Sequence, residues 1–302
     1  MRPVAKTFYI ALMLFVVILP LQSSAQRLNP APPASGDIVE QHSFFSAALQ
    51  RQMRYDIVLP VGYSVGQQRY PVLYLLHGWQ GDETNWVKLT HLVELASHYA
   101  LIIVTPEAAN SWYVNSATNP ADRYADYIAD DLITEIDGHY RTIASSHQRA
   151  IAGLSMGGYG ALLQTLHHPG LFSFTASISG AFDGPSGADQ IMPQLKPSTD
   201  QAFGSPGTTT RKQNDLDVLI AAADPAKTPY MLLDCGTADP FLPSNRHVVE
   251  ELWSRGVSYE YHELPGAHTW SFWDNSLPNL FDVLSRKLHL EQPAVAARAA
   301  VR

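Results

Sequence analysis

The feature that most constrains the fold is a series of short apolar runs separated by helix-like segments. The clearest run, Val72–Leu76, is apolar at every position, which is typical of a strand in a sheet that is covered on both faces. Comparable runs occupy Leu101–Val104, Arg149–Leu154, Phe174–Ile178 and Tyr230–Leu233. A more polar run at Tyr259–Leu264 indicates a strand at the edge of the same sheet.

Helical patterns separate the runs. Between the second and third runs, apolar side chains recur every four residues, at Tyr124, Ile128, Leu132 and Ile136, as in an amphipathic helix. Strands that alternate with helices predict a mainly parallel sheet with helices on both faces. In this chain of 302 residues, we predict a single α/β domain at 43–288, a flexible lead-in at 26–42 and a mobile tail at 289–302.

Residues 1–25 have the pattern of a secretory signal peptide. Arg2 and Lys6 precede the apolar stretch Phe8–Leu21, and the small residues Ser23–Ala25 follow it,. The apolar stretch is shorter than the roughly 20 residues that usually span a bilayer. We therefore expect cleavage after residue 25 and export to the periplasm or the medium, with no stable membrane anchor left on the protein.

Composition excludes several classes of function. The net charge is -8 and no basic cluster occurs, which argues against a nucleic-acid partner. Cys235 is the only cysteine, so it cannot form an intrachain disulfide, and we expect it to be a small buried side chain. No His-Glu-x-x-His motif or comparable ligand spacing is present, so neither a metal nor another cofactor is predicted.

The turn Gly153-Leu154-Ser155-Met156-Gly157 is the strongest candidate for a catalytic motif. It follows the apolar run Arg149–Leu154 and precedes the helix-like segment Gly158–His168. A serine on a sharp strand-to-helix turn needs small neighbours two positions away on either side, which explains the glycines. Such a turn exposes the hydroxyl of Ser155 at the carboxyl edge of the sheet, where it can act as a nucleophile.

A nucleophilic serine requires a base, and the base requires an orienting acid. His268 follows the last predicted strand, and Asp239 lies in the loop after the strand Tyr230–Leu233. Asp234 is an alternative acid, although it lies nearer the strand and could instead hold a loop. The chain order Ser155, Asp239, His268 is the order of nucleophile, acid and base in α/β-hydrolases.

Acyl transfer also needs hydrogen-bond donors for an oxyanion. The backbone N–H of Met156, directly after the nucleophile, is one candidate donor. The other is expected in the loop that follows Val72–Leu76, where the N–H of Trp79 is favoured over that of Gln80. His77, at the start of this loop, is expected to support the loop rather than to take part in the chemistry.

Three motifs carry a resemblance to a known family. Gly-Leu-Ser-Met-Gly-Gly-Tyr-Gly-Ala at Gly153–Ala161, Leu-His-Gly at Leu76–Gly78 and Gly-x-His-x-Trp at Gly266–Trp270 resemble the putative-esterase (esterase D-like) family of α/β-hydrolases. That family includes feruloyl and acetyl-xylan esterases, S-formylglutathione hydrolases and mycolyltransferases. The resemblance implies an α/β-hydrolase fold and a serine esterase, with a triad and oxyanion donors at Ser155, Asp239, His268, Trp79 and Met156.

Aromatic side chains in the predicted loops indicate how a substrate would be held. Trp112, Tyr113 and Trp270 are predicted to contact a sugar ring or an aromatic acyl group, with core packing as the alternative for each of them. Trp273 is expected mainly to pack in the core. The segment Ala181–Lys227 has few apolar runs, so we predict an irregular insertion that forms a lid or pocket wall.

The expected function is hydrolysis of a carboxylic ester, such as an acyl or feruloyl ester of a carbohydrate, through an acyl-enzyme on Ser155. One alternative is an acyltransferase that passes the acyl group to a sugar or lipid acceptor with the same triad. A second alternative is a non-catalytic carbohydrate-binding protein that keeps the fold. The complete set of catalytic residue types argues against that last alternative.

Overall fold

An eight-stranded sheet lies at the centre of the computed structural model, which describes residues 38–291. The strands are β1 (Ile38–Ser46), β2 (Arg51–Leu59), β3 (Val72–Leu76), β4 (Ile102–Pro106), β5 (Arg149–Leu154), β6 (Phe174–Ile178), β7 (Tyr230–Gly236) and β8 (Tyr259–Leu264). Their spatial order is β1-β2-β4-β3-β5-β6-β7-β8. Strand β2 is antiparallel to β1 and β4, and every other pair is parallel. The predicted mainly parallel sheet is confirmed.

Strand β3 shows why an entirely apolar run suits the centre of this sheet. Val72, Tyr74 and Leu76 join the hydrophobic core on one face of the sheet. Leu73 and Leu75 join the core on the other face. Because successive side chains of a strand point to opposite faces, each apolar position of β3 contributes to one of the two cores.

Helices cover both faces of the sheet. They are α1 (Asn85–Leu89), α2 (Leu92–Ala96), α3 (Tyr124–Asp126), α4 (Ile133–His139), α5 (Met156–His167), α6 (Ala188–Ile191), α7 (Lys196–Phe203), α8 (Thr209–Gln213), α9 (Leu216–Ala222), α10 (Leu242–Ser254) and α11 (Trp270–Leu288). A π-helix, Tyr127–Leu132, joins α3 to α4, and short 3₁₀ helices occupy Ser146–Gln148 and Pro193–Leu195.

The helices divide between the two cores. Helices α1, α2 and α11 supply the core that contains Leu73, and α4, α5, α9 and α10 supply the opposite one. This arrangement is the two-sided α/β architecture that the alternating pattern predicts. Within residues 38–291, no helix combines the length and the apolar character needed to cross a membrane.

The first strand begins earlier than the sequence pattern indicated. Strand β1 starts at Ile38 and pairs with β2 from Ile38 opposite Leu59 to Ser46 opposite Arg51. The predicted lead-in at 26–42 is therefore wrong over its last five residues, because pairing with β2 extends this polar edge strand beyond its apolar part. The predicted tail at 289–302 starts too early, because Leu290 packs against the core and the Ala100 N–H donates to the Glu291 carbonyl at 3.0 Å. The predicted signal peptide, the rest of the lead-in and tail residues 292–302 lie outside the described residues.

The segment Ala181–Lys227 is not irregular, since it contains α6, α7, α8 and α9. These helices are too short to show a clear apolar period. Buried Arg211 instead holds the segment together, donating hydrogen bonds to the carbonyl oxygens of Gly204 (2.8 Å) and Pro185 (2.7 Å). Its guanidinium also pairs with Asp200. Because a buried arginine organises this segment, the pattern of apolar residues does not reveal its helices.

Shortening one buried side chain of the long helix α11 should test the role of that helix in the core. Leu280→Ala should lower the free energy of unfolding by about 2–5 kcal/mol, because Leu280 is fully buried and its loss leaves a cavity. The matched control Leu89→Ala removes a side chain that is 49% exposed and should change stability by about 0.5 kcal/mol or less. Urea unfolding measures both, and equal losses would contradict the assignment of α11 to the core.

Candidate active site

Ser155 lies on a strained turn between β5 and α5. Its backbone has φ 54° and ψ -119°, a conformation that non-glycine residues rarely adopt. Two hydrogen bonds hold the turn: the Ser155 N–H donates to the Ile178 carbonyl and the Ala181 N–H donates to the Ser155 carbonyl, both at 3.0 Å. Strain of this kind persists only where the surroundings impose it, and it is concentrated at functional sites.

The glycines of the motif are explained by close backbone packing. A Cβ atom at Gly153 would lie 2.4 Å from the carbonyl carbon of Gly157. A Cβ atom at Gly157 would lie 2.5 Å from the carbonyl oxygen of His77. Any larger residue at these positions would therefore push the first turn of α5 away from β5 or from the loop that follows β3.

Ser155, His268 and Asp239 are joined by two hydrogen bonds. The Ser155 hydroxyl lies 2.9 Å from Nε2 of His268, and Nδ1 of His268 lies 2.9 Å from Oδ2 of Asp239. The Asp239 side chain is fully buried, and its Oδ1 accepts a hydrogen bond from the Phe241 N–H at 2.9 Å. A fixed carboxylate at Nδ1 keeps the proton there, which leaves Nε2 free to accept the serine proton.

The imidazole of His268 is also fixed by packing. It lies between two aromatic rings, with centroid distances of 5.2 Å to Phe241 and 5.0 Å to Trp273. The loops that carry the acid and the base are tied together, since the Ala238 N–H donates to the Gly266 carbonyl at 2.8 Å. Because β7 and β8 are parallel neighbours, both loops leave the sheet at the same edge.

Asp234, the alternative acid, belongs to a different cluster. It is completely buried, and its Oδ1 lies 2.9 Å from Nδ1 of His262. Its Oδ2 accepts a hydrogen bond from Asn279 at 3.0 Å. Burial raises the pKa of Asp234, and the contacts with Asn279 and His262 oppose that shift. The structure therefore places Asp239, and not Asp234, beside His268.

Two residues with backbone amides that are unbonded in the described part of the chain lie in the cleft around Ser155. Trp79 lies in the loop after β3, Met156 begins α5, and both line the same cleft as Ser155. Within residues 38–291 neither amide donates a hydrogen bond. The N–H of Gln80, the alternative donor, is already bound to Oδ1 of Asn110 at 2.7 Å, which leaves Trp79 and Met156 to receive an oxyanion.

His77 lies behind this loop and supports it. Its Nε2 accepts the N–H of Ala108 at 3.0 Å, so the ring proton is on Nδ1, which donates to the Gly78 carbonyl at 2.7 Å. Burial lowers the pKa of His77, which keeps the imidazole neutral as these two bonds require. The sequence analysis likewise expected His77 to support the loop rather than to take part in the chemistry.

A cleft of about 290 Å³ opens over Ser155 and His268. Its lining combines polar groups with apolar side chains, which are those of Trp112, Leu154, Met192, Leu195, Trp270 and Trp273. Trp270, predicted to contact substrate, lines the cleft. Trp112 borders it, but its side chain is fully buried and its indole N–H donates to Oγ of Ser198 at 3.1 Å, so Trp112 packs in the core, which was the alternative prediction. Trp273, expected mainly to pack, belongs to the core and also borders the cleft. Met192 and Leu195 were missed because they belong to the segment whose short helices the sequence did not reveal.

Tyr113 has a different position from the predicted one. Its side chain is fully buried, its hydroxyl donates to the His77 carbonyl at 2.8 Å, and its ring occupies the space that a Cβ at Gly160 would need. The structure therefore corrects the prediction that Tyr113 contacts substrate. Positive φ angles at both Trp112 and Tyr113 turn the chain here, and sequence patterns give no sign of that turn.

Other reactive groups lie apart from this cleft. In the part of the chain that the structure describes, no group of three or more His, Cys, Asp or Glu side chains is arranged to hold a metal ion. Cys235 is buried in β7, and burial raises the pKa of its thiol. The protonated thiol of Cys235 is therefore a poor nucleophile.

The two aspartates should respond differently to neutralisation. Asp239→Asn should lower kcat for p-nitrophenyl acetate by about 10⁴-fold, because the amide favours the wrong tautomer of His268. Asp234→Asn, the matched control, should mainly lower the free energy of unfolding, by about 1–3 kcal/mol, since it disturbs a buried hydrogen-bond cluster. Steady-state kinetics and urea unfolding measure these effects. If folded Asp234→Asn lost more kcat than Asp239→Asn, the acid that orients His268 would be Asp234.

Comparison with known proteins identifies the family of the chain. The family model described as "Putative esterase" matches residues 46–282. An acetyl esterase from Caldicellulosiruptor saccharolyticus is 25% identical over 262 residues, which cover 82% of this chain and 98% of that protein. An endo-1,4-beta-xylanase/feruloyl esterase from Xylanibacter ruminicola is 31% identical over 155 residues, or 47% of this chain and 21% of that protein.

Solved structures share the fold. A ferulic acid esterase superposes with a TM-score of 0.71 at 24% sequence identity, and the match covers 84% of this chain and 99% of the other. At this level of identity the likeness shows the α/β-hydrolase fold alone. The family match, in contrast, spans most of the chain and includes Ser155, Asp239 and His268. The chain therefore belongs to the putative-esterase family of α/β-hydrolases and is an esterase.

Proposed function

We propose that the protein is a serine carboxylic-ester hydrolase that works through an acyl-enzyme on Ser155. The observation that carries the proposal is the hydrogen-bonded series Asp239, His268, Ser155, which opens onto a cleft bordered by two unengaged amides. This arrangement supplies the three requirements of acyl transfer: an activated nucleophile, an oriented base and donors for the oxyanion.

In the first half-reaction, Ser155 Oγ attacks the ester carbonyl carbon while Nε2 of His268 takes the hydroxyl proton. The carbonyl oxygen becomes an oxyanion that accepts hydrogen bonds from the N–H groups of Trp79 and Met156. The bond to the alcohol then breaks, and the imidazolium of His268 returns its proton to the departing alkoxide. The alcohol leaves, and the acyl group remains on Ser155.

In the second half-reaction, water replaces the alcohol. His268 takes a proton from the water as its oxygen attacks the acyl carbon, and the same two amides hold the oxyanion. Collapse of this intermediate breaks the bond to Ser155 Oγ, which recovers its proton from His268. The products are the free acid and the original enzyme. Asp239 stays ionised throughout and stabilises the imidazolium that forms twice in each cycle.

We further propose that the substrate is an acetyl or feruloyl ester of a carbohydrate. The cleft of about 290 Å³ has the size of a small-ligand pocket, and the indole of Trp270 on its wall can stack on a sugar or an aromatic acyl group. The names of the matched relatives, an acetyl esterase and a xylanase/feruloyl esterase, support both acyl groups. Methyl ferulate and acetylated xylan are suitable test substrates.

Export is also proposed, on the basis of the sequence pattern at residues 1–25,. Expression of the full chain in a bacterial host should yield protein in the periplasm or the medium, with Gln26 as its first residue. Cell fractionation and mass spectrometry of the purified protein measure both properties. An intact N-terminus in the membrane fraction would indicate a retained anchor and would contradict the proposal.

Replacement of the nucleophile gives the direct test of the proposed function. Ser155→Ala should reduce hydrolysis of p-nitrophenyl esters by about 10⁶-fold, as expected when the nucleophile of a serine hydrolase is lost. It should also abolish labelling by a fluorophosphonate probe. The loss should occur without loss of folding, because alanine removes only the hydroxyl of an almost fully buried side chain.

Two outcomes with the wild-type protein would contradict the proposal and favour another function. Folded wild-type protein that is not labelled by the probe and hydrolyses none of p-nitrophenyl esters, methyl ferulate and acetylated xylan would indicate the non-catalytic carbohydrate-binding class. Wild-type protein that yields mainly an acylated sugar or lipid, instead of free acid, when such acceptors are added would indicate an acyltransferase.

A further inference from the structure

We propose that the loop after β4, residues 107–113, is a brace that sets the position of the oxyanion loop, residues 77–81, with Asn110 and Tyr113 as positioning residues. The inference rests on the proposed function, because it assigns to the Trp79 N–H the role of oxyanion donor. Neither Asn110 nor Tyr113 contacts the reacting atoms. Both act through the backbone of the oxyanion loop.

The oxyanion loop has a turn that its own sequence does not favour. The Gly81 N–H donates to the Gly78 carbonyl at 3.0 Å, so Trp79 and Gln80 are the two central residues of the turn. Gln80 has φ 60° at the third position, where a positive φ usually requires glycine or asparagine. Something outside the turn must therefore hold Gln80 in this conformation.

Asn110 provides the external contact. Its Oδ1 accepts the N–H of Gln80 at 2.7 Å, at the peptide group next to the one that carries the Trp79 N–H. The bond fixes the plane of the peptide that links Trp79 to Gln80. It also occupies the Gln80 N–H, so that of the two central residues of the turn only Trp79 keeps an N–H with no hydrogen-bond acceptor among the described residues.

Tyr113 and Ala108 hold the beginning of the oxyanion loop. The Tyr113 hydroxyl donates to the His77 carbonyl at 2.8 Å, and the Ala108 N–H donates to Nε2 of His77 at 3.0 Å. The same His77 carbonyl packs against the backbone of Gly157. The His77 carbonyl therefore contacts both the Tyr113 hydroxyl and the first turn of α5. These contacts fix the position of the loop that carries the Trp79 N–H relative to the helix that begins at Met156.

The brace itself is strained and anchored at several points. Ala109, Trp112 and Tyr113 all have positive φ. The Ala109 N–H donates to Oε1 of Glu107 at 2.6 Å, and the buried amide of Gln164 on α5 donates to the Tyr113 carbonyl at 2.9 Å. A loop that only connected two elements would not need such conformations, which persist where the surroundings over-determine them.

Positioning of this kind predicts a specific kinetic signature. Oxyanion donors stabilise the transition state only if they are already in place when charge develops, and they contribute little to binding of the neutral ester. Loosening the oxyanion loop should therefore lower kcat and leave KM nearly unchanged. A structural role alone would lower the free energy of unfolding without lowering kcat at constant KM.

The test uses two variants, each with a matched control. Asn110→Ala removes the acceptor for the Gln80 N–H, and Asn115→Ala removes another exposed amide that also accepts a backbone N–H, that of Ala125. Tyr113→Phe removes the hydroxyl that binds His77. Its control, Tyr127→Phe, removes an equally buried hydroxyl that has no hydrogen-bond partner among the described residues.

Asn110→Ala and Tyr113→Phe should each lower kcat for p-nitrophenyl acetate by about 10- to 100-fold, as expected for a misplaced catalytic group, with KM within about twofold of the wild-type value. The Ki of a trifluoromethyl ketone should rise by the same factor as kcat falls. Its adduct with Ser155 carries an oxyanion, so its affinity reports directly on the hole. Both control variants should match wild type in kcat and Ki.

Wild-type Ki with either variant, despite normal folding in urea titrations, would overturn the inference for that residue. A fall in stability with unchanged kcat would have the same meaning, because it would reduce the brace to a structural role. Failure of the proposed function itself is distinguishable, since Ser155→Ala would then retain activity whatever the brace variants do.

Discussion

The packing of the Gly157 backbone against the carbonyl oxygen of His77 is the contact on which the site depends. It joins the helix that follows the nucleophile to the loop that follows β3, with no side chain between them. This approach brings the loop that contains Trp79 next to the first turn of the helix that begins at Met156, so that both residues line the cleft with Ser155. The glycine at 157 follows from the need to keep the two backbones in contact, and the buried neutral imidazole of His77 holds the loop side of that contact through its bonds to Ala108 and Gly78.

Much of the fold and the proposed triad could be predicted because each depends on local sequence. Strands buried on both faces must be continuously apolar, so β3, β5 and β6 are visible in the sequence. The turn at Ser155 has a glycine signature because backbone approach excludes larger side chains. Asp239 was distinguishable from Asp234 because a residue in the loop can reach across to the neighbouring loop, whereas a residue within β7 is held to its own strand partners.

What the sequence did not reveal depends on contacts between distant segments. The inward position of Tyr113 results from positive φ angles at consecutive non-glycine residues, and these are stabilised by His77 and by Gln164 on another helix. The start of β1 is set by pairing with β2 rather than by its own polar residues. The helices that supply Met192 and Leu195 are held by Arg211, a residue type that hydrophobic patterns treat as surface.

The insertion between β6 and β7 has a consequence for how such a protein can diversify. Arg211 binds groups that lie within the insertion, at Pro185, Asp200 and Gly204, so much of its cohesion is independent of the sheet. The groups proposed to carry out the chemistry are fixed instead by the sheet edge and by the loops after β3, β4, β7 and β8. Mutations can therefore reshape one wall of the cleft while the reacting atoms keep their places, which allows substrate preference to evolve separately from catalytic power.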